Sequence, residues 1–111
     1  MEVTVNQLKR CDVVKVTGRV NSETAPQLAE ALRGLLDEER HKIVLDLSDV
    51  DFISSAGLRV MIEVQKACKR WNRGEVALAC VPQRIHETLD LAGFVPLFRF
   101  FDSTVEAVGS L

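Results

Sequence analysis

Two adjacent serines, Ser54 and Ser55, are the side chains of this sequence whose setting best suits chemistry. They follow an apolar run and a short connector, and they precede Ala56 and Gly57, where a helix is predicted to begin. The first backbone N–H groups of a helix lack partners within the helix, so this position favours a negative group such as a phosphate. A hydroxyl beside such small residues is also open to a kinase. The pattern therefore indicates a phosphorylation site, although a serine there can also serve only as the helix N-cap.

Other kinds of site find little support. The three cysteines, Cys11, Cys68 and Cys80, are odd in number and form no Cys-x-x-Cys pair, which argues against a disulfide framework and favours a reducing cytoplasm. His41 and His86 have no partner at metal-ligand spacing, so no metal site is expected. Neither a Gly-x-Ser-x-Gly elbow nor a nucleotide-binding loop occurs. We therefore expect no catalytic residue and no cofactor.

Size and charge exclude further classes of protein. The chain has 111 residues, enough for one domain that fills residues 1–111. Lys and Arg number 14 and Asp and Glu number 16, so the formal charge is −2, which is not the basic footprint of a nucleic-acid binder. The longest apolar runs fall far short of the ~20 residues that a membrane span needs, so no membrane insertion is expected.

Alternating strand and helix patterns predict the elements that position the two serines. Two strand-like runs joined by a hairpin open the chain, and helices then alternate with further strands, which predicts an α/β fold with a mixed sheet. The predicted strands are 3–8, 13–17, 42–47, 76–81 and 95–101. The predicted helices are about 24–40, 55–71 and 82–93, with a last short helix after residue 103.

Two helix starts carry capping patterns. Thr24 with Gln27, and Ser103 with Glu106, have the spacing of a capping box, in which each side chain bonds to the other residue's backbone N–H. Pro26 suits the first turn because its missing N–H needs no partner there.

The second predicted helix has an unusually wide apolar surface. On a helical wheel, Met61 marks one side, Val60 and Val64 lie on an adjoining side, and the apolar arc covers well over half of the circumference. A helix on one face of a sheet needs an apolar stripe of only about 100°. The excess either packs against a neighbouring helix or forms a surface for a partner protein.

The residues around the serines resemble those of a known family. Residues 46–58 read Asp-Leu-Ser-Asp-Val-Asp-Phe-Ile-Ser-Ser-Ala-Gly-Leu, which resembles the signature of STAS domains, specifically the bacterial anti-sigma factor antagonists. Residues 16–21 resemble that family's turn before its first helix, and residues 103–108 resemble its last helix. The resemblance implies a STAS-like single domain, with a mixed β-sheet and helices packed mainly on one face.

The resemblance also implies a function. In this family the antagonist binds an anti-sigma factor that is also a serine kinase, and this frees the sigma factor. The kinase phosphorylates a serine at the start of the second helix, and a PP2C-type phosphatase reverses the modification. Aligning Gly57 and Leu58 with the family pattern Asp-Ser-Ser/Thr-Gly-Leu places the phosphorylated serine at Ser55. Ser54 stands where the family usually has Asp, which makes Ser54 the alternative site.

The predicted docking face combines the second helix with the turn at 18–21 and the approach at 46–53. Its residues are Gly18, Arg19, Asn21, Asp49, Ser54, Ser55, Gly57, Leu58, Arg59, Val60, Glu63 and Val64. An alternative keeps the fold and changes the partner, because STAS-like subunits also occur in phospholipid-transport complexes and in stress-signalling assemblies.

Overall fold

A five-stranded mixed sheet forms the centre of the computed structural model, which describes residues 1–111. The strands lie in the order β1-β2-β3-β4-β5; β1 is antiparallel to β2, and the other neighbours are parallel. The strands are β1 (Glu2–Gln7), β2 (Asp12–Val20), β3 (Lys42–Ile53), β4 (Glu75–Ala79) and β5 (Phe100–Phe101). The helices are α1 (Ala25–Asp37), α2 (Ser55–Lys69), α3 (Gln83–Leu91) and α4 (Thr104–Ser110), with a 3-10 turn at Val95–Leu97.

The main core lies between one face of the sheet and the first three helices. Alternate residues of β3, such as Ile43 and Leu45, point into a cluster that also holds Leu32 of α1, Met61 of α2 and Ile85 of α3. The opposite face carries a smaller cluster in which Ala107 of α4 meets Val44 and Ala79. Helices thus pack mainly on one face, as predicted, and α4 covers part of the other face.

The third strand is longer than the sequence pattern indicated. Residues 48–53, predicted as a connector, continue β3 and pair with β2 as far as Val20 opposite Ile53. The register shifts twice along this pairing, and each shift gives β3 one more residue than β2. Such bulges interrupt the alternation of inward and outward side chains, which is why the polar stretch of 48–51 did not have the pattern of a strand.

The last predicted strand is mostly irregular. Residues 95–97 form the 3-10 turn, and only Phe100 and Phe101 pair with β4. Pro96 has no N–H to donate to a sheet ladder, so a continuous strand through this segment is disfavoured.

The predicted N-cap at Ser103 is confirmed, and the one at Thr24 is wrong. The backbone N–H of Glu106 donates to Ser103 Oγ at 3.1 Å, but the reciprocal bond of a capping box, from the Ser103 N–H to the Glu106 side chain, is not made. Thr24 makes no side-chain cap; its hydroxyl donates to the carbonyl of Arg19 at 2.8 Å. Asn21 organises this turn instead, because its side-chain oxygen accepts from the N–H groups of Glu23 and Thr24.

Candidate partner-binding site

The two serines lie where the parallel strands β2 and β3 end. Ser54 follows the last residue of β3, and its backbone N–H donates to the carbonyl of Val20, the last residue of β2, at 2.8 Å. Ser54 has extended backbone angles and occupies the N-cap position of α2, and Ser55 is the first helical residue. This hydrogen bond fixes the start of α2 against the carboxyl edge of the sheet.

Ser54 and Ser55 differ in accessibility. The hydroxyl oxygen of Ser54 is buried and has no hydrogen-bond partner, and it does not cap a helix N–H. Ser55 is exposed to solvent beside the unpaired N–H groups of the first turn of α2. Of the two, Ser55 is therefore the one that an enzyme can reach without opening the fold.

Gly57 allows the first turn of α2 to lie close to the sheet. A Cβ atom built on Gly57 would stand 2.6 Å from Val20 Cγ1 and 3.1 Å from Ile53 Cγ1. Both distances are shorter than an ordinary contact between carbon atoms. The absent side chain therefore determines how far Ser55 stands from the ends of β2 and β3.

The turn predicted to join the docking face lies at the same end of the sheet. Gly18 has a φ of +98°, which few other residues adopt, and it precedes the turn that Asn21 organises. The guanidinium of exposed Arg19 lies 4.4 Å from the centre of the Phe52 ring, which is itself partly exposed. This cation–π pair links the ends of β2 and β3, where Arg19 is paired with Phe52.

Asp49 lies apart from the serines. Its carboxylate accepts from the Lys15 ammonium at 3.1 Å, and this hydrogen bond is the main reason that the pKa of Lys15 is raised. Lys15 and Val13 point to the face of the sheet that α4 covers, since Val13 packs against the smaller cluster. The structure thus does not bring Asp49 together with Ser55.

Four residues of the predicted docking face are buried. Gly57, Leu58, Val60 and Val64 belong to the interior, and Val60 and Val64 are only 9% and 2% exposed. Helix α1 packs along this side of α2 and fills the extra width of the apolar arc. The prediction that Val60 and Val64 are available to a partner is therefore wrong, because this part of the arc serves helix–helix packing. Leu58 lies on the other side of α2 and lines a cavity there.

Two polar residues of α2 remain on the surface. The Glu63 carboxylate accepts from Arg33 of α1 at 3.1 Å, in an ion pair whose side chains are both more than half exposed. Arg59 is exposed, lies one helical turn after Ser55 and makes no ion pair. A free cation therefore stands beside the exposed serine.

The open side of α2 faces a groove that the sequence pattern did not indicate. A cavity of about 430 Å³ lies between α2 and the segment after α3; Ser55, Leu58, Ile62, Ala92 and Phe94 are among its lining residues. A second cavity, of about 480 Å³, continues along α2 toward Lys69, Arg70 and Leu97. No signal in the sequence could show which side of α2 the later segment leaves uncovered.

Comparison with known proteins decides the family. The model of the family described as STAS domain matches residues 2–107. The chain belongs to the STAS domain family. This STAS domain groups with proteins named anti-sigma factor antagonists, as its sequence motifs had indicated.

Individual relatives match along almost the whole STAS domain. BtrV of Bordetella bronchiseptica, named as a candidate anti-sigma factor antagonist, is 32% identical over 110 residues, which are 99% of this chain and 94% of BtrV. The crystal structure of a candidate anti-sigma factor antagonist from Thermotoga maritima has a TM-score of 0.89 at 22% identity and covers 97% of this chain and 92% of that one.

A further structural match is to SpoIIAA, solved in two states. The anti-sigma factor antagonist SpoIIAA in its unphosphorylated form has a TM-score of 0.84 at 13% identity, covering 98% of this chain and 95% of that one. The phosphorylated form of the Bacillus SpoIIAA has a TM-score of 0.77 at 13% identity, with 98% of both chains covered. At these identities, the likeness establishes the fold.

The ionisable side chains of the STAS domain give no sign of a reactive thiol or a metal centre. Burial raises the pKa of the Cys68 thiol to about 11, and burial is also the main reason that the pKa values of Cys11 and Cys80 are raised. These thiols are therefore protonated at neutral pH. No group of three or more His, Cys, Asp or Glu side chains has the geometry of a metal site, and none of the helices has the length and apolar character needed to cross a bilayer.

Proposed function

We propose that this STAS domain acts by binding an anti-sigma factor, which frees the sigma factor, and that phosphorylation of Ser55 ends the binding. The observation that carries the proposal is the contrast between the two serines: Ser55 is exposed at the start of α2, while the hydroxyl of Ser54 is buried. The named relatives support the choice of partner, and SpoIIAA, which shares the fold, exists in a phosphorylated form.

A phosphate on Ser55 is compatible with the fold. It adds about −1.5 to −2 charges at neutral pH. The N–H groups at the start of a helix attract negative charge by about 0.3–1 kcal/mol, and Arg59, four residues along the same helix face, lies close enough to add to this attraction. The domain therefore stays folded when Ser55 is modified.

The same phosphate opposes association with a partner. A dianion in an interface must lose its water, and an apolar or acidic partner surface gives nothing in return. A loss of roughly 3 kcal/mol already weakens binding about a hundredfold. Phosphorylation thus acts on the complex and leaves the isolated domain intact.

The proposal includes the two enzymes that set the state of Ser55. The anti-sigma factor is itself the serine kinase, and a PP2C-type phosphatase restores the free hydroxyl, both in the cytoplasm. The STAS domain acts by binding and not by catalysis: no histidine lines the cavity at Ser55, since His41 stacks on Trp71 and His86 packs against Phe100.

The test uses the anti-sigma factor kinase encoded in the same genome. The wild-type protein, Ser55→Ala and the matched control Ser54→Ala are each treated with the kinase and ATP, and the modified residue is mapped by mass spectrometry. Calorimetry then measures the dissociation constant of the complex, and a thermal melt measures the stability of the free protein.

We expect the kinase to modify residue 55 in the wild type and in Ser54→Ala, and to leave Ser55→Ala unmodified. The phosphorylated protein should bind the anti-sigma factor about a hundredfold more weakly, while its melting temperature stays nearly unchanged. Ser55→Asp should show part of this weakening, because it carries one charge. Modification at Ser54 alone, or a phosphorylated protein that binds as tightly as before, would overturn the proposal.

A further inference from the structure

One groove follows the open side of α2 along its whole length. The two cavities of about 430 and 480 Å³ share Ile62 and Lys66, so they form a single groove with Ser55 at one end and Lys69 near the other. Since α2 has 15 residues, the groove is about 22 Å long. Its floor includes Leu58 and Ile62, one helical turn apart.

The wall opposite α2 is apolar and fixed in place. Phe94 and Leu97 belong to this wall, and Leu97 is 46% exposed. Buried Gln65 of α2 holds the wall, because its side-chain amide donates to the carbonyl of Leu97 at 2.8 Å. The same amide donates to the carbonyl of Val76 at 3.1 Å, and its oxygen accepts from the Val76 N–H at 2.7 Å. The groove is therefore formed before any partner binds, which lowers the cost of binding.

The groove is positively charged, although the chain as a whole has a formal charge of −2. Its lining holds four cations and one carboxylate, and that carboxylate, Glu63, is already paired with Arg33. None of the four cations makes an ion pair; they are Arg59, Lys66, Lys69 and Arg70. Apolar floor and free cations together fit an acidic, amphipathic partner.

We propose that this groove, from Ser55 to Leu97, binds an acidic amphipathic α-helix of the anti-sigma factor. The inference rests on the function proposed above and names the element of the partner that the site receives. A helix fits because the apolar residues of the floor are spaced by one turn, which matches anchors at positions i, i+3 or i+4, and i+7 of a bound helix. An added strand does not fit, because the wall of the groove at 95–97 is a 3-10 turn and presents no strand edge to pair with.

The position of Ser55 gives the groove a part in the switch. Ser55 lines the same cavity as Arg59 and Lys66. A phosphate there introduces negative charge at the entrance of a positive groove and competes with the acidic helix for the same cations. Phosphorylation therefore opposes the helix by repulsion as well as by desolvation.

The test compares two double charge reversals that change the net charge equally. Lys66→Glu/Lys69→Glu alters the groove, and Lys9→Glu/Arg10→Glu, in the exposed turn between β1 and β2, is the matched control. Calorimetry measures the dissociation constant for the anti-sigma factor at low and high salt. We expect at least tenfold weaker binding for the groove variant and less than about threefold for the control. The salt dependence of binding should also be smaller for the groove variant than for the wild type.

A milder variant and a crosslinking experiment test the groove even if the charge reversals disturb folding. Lys66→Gln/Lys69→Gln keeps good helix formers and should weaken binding in the same direction by a smaller factor. A photo-crosslinking residue at position 97 should react with a segment of the anti-sigma factor that combines acidic residues with helical apolar spacing.

The outcomes separate this inference from the proposed function. If both groove variants bind like the control, or if the crosslink lands in a segment without acidic helical character, the groove assignment is overturned, while release by Ser55 phosphorylation still stands. If the wild-type protein does not bind the anti-sigma factor, the proposed function fails and the groove assignment fails with it.

Discussion

Replacement of Gly57 by alanine tests whether close packing positions Ser55. The new methyl group would stand 2.6 Å from Val20 Cγ1, whereas carbon atoms prefer a separation of about 3.5–4.0 Å, so one of the two groups must move by about 1 Å. Val20 has little freedom to move, because it is fully buried and β-branched. Such overpacking costs about 1–3 kcal/mol, and the better helix propensity of alanine returns up to about 1 kcal/mol. We expect Gly57→Ala to lower the free energy of unfolding by about 1–2 kcal/mol.

The chain offers a matched control in Gly34→Ala. Gly34 is exposed to solvent on the surface of α1, and a Cβ atom built there would meet no other atom within 4 Å. This substitution should raise the free energy of unfolding by about 0.5–1 kcal/mol, because alanine is the better helix former. Urea unfolding of the two variants should therefore give changes of opposite sign.

A double-mutant cycle identifies the contact. If the Val20 methyl group is the obstacle, Gly57→Ala combined with Val20→Ala should be more stable, by about 1 kcal/mol or more, than the sum of the single changes indicates. Stabilisation by Gly57→Ala, or simple additivity with Val20→Ala, would refute the packing argument. Under the proposed function, Gly57→Ala should also slow phosphorylation of Ser55, and Gly34→Ala should not.

Three further outcomes follow from buried side chains. Val60→Asp places a carboxylate in the contact with α1, so it should destabilise the fold by about 3 kcal/mol in urea unfolding, whereas Arg59→Asp on the surface should change stability by less than about 0.5 kcal/mol. Gln65→Leu leaves the N–H and the carbonyl of Val76 without their side-chain partner and should cost about 2–4 kcal/mol, visible as a lower melting temperature. The pKa of Cys68 is about 11 in the folded protein and 9.0 is its ordinary value, so the unfolded state loses its proton first and the free energy of unfolding should fall between about pH 9 and 11. In Cys68→Ala this fall should be smaller by up to about 3 kcal/mol. An equal fall in both proteins would contradict the raised pKa of Cys68.

The sequence allowed the regular elements of this fold to be predicted, but not the places where the sheet is distorted. The apolar run of 76–81 lies close to the observed β4, and the predicted start of the second helix is that of α2. The second half of β3 was missed because its bulges remove the alternation by which a strand is recognised. The turn after α3 was missed because the residues around Pro96 combine strand-like composition with a backbone that cannot pair.

The sequence predicted where in the chain the site lies, but not which sides of α2 are covered by neighbouring elements. The motif around Gly57 located the serines, and packing against Val20 explains why glycine is needed there. A helical wheel separates the arcs of α2 but does not say which neighbour covers each one. In the folded chain α1 covers Val60 and Val64, and the segment of 92–97 stands far enough from Ile62 to leave a groove. Such information exists only in the three-dimensional arrangement.

The same contacts explain why the proposed switch needs no change of fold. The start of α2 is held by the hydrogen bond from Ser54 to Val20 and by the close approach of Gly57, while Gln65 holds the middle of α2 to β4 and to Leu97. A phosphate on exposed Ser55 would meet a helix that is fixed at both places. It would therefore change the charge of the surface far more than its shape. Because a ligand shifts an equilibrium only by its different affinity for two states, control by such a rigid surface must come from the partner's affinity for the modified and unmodified forms.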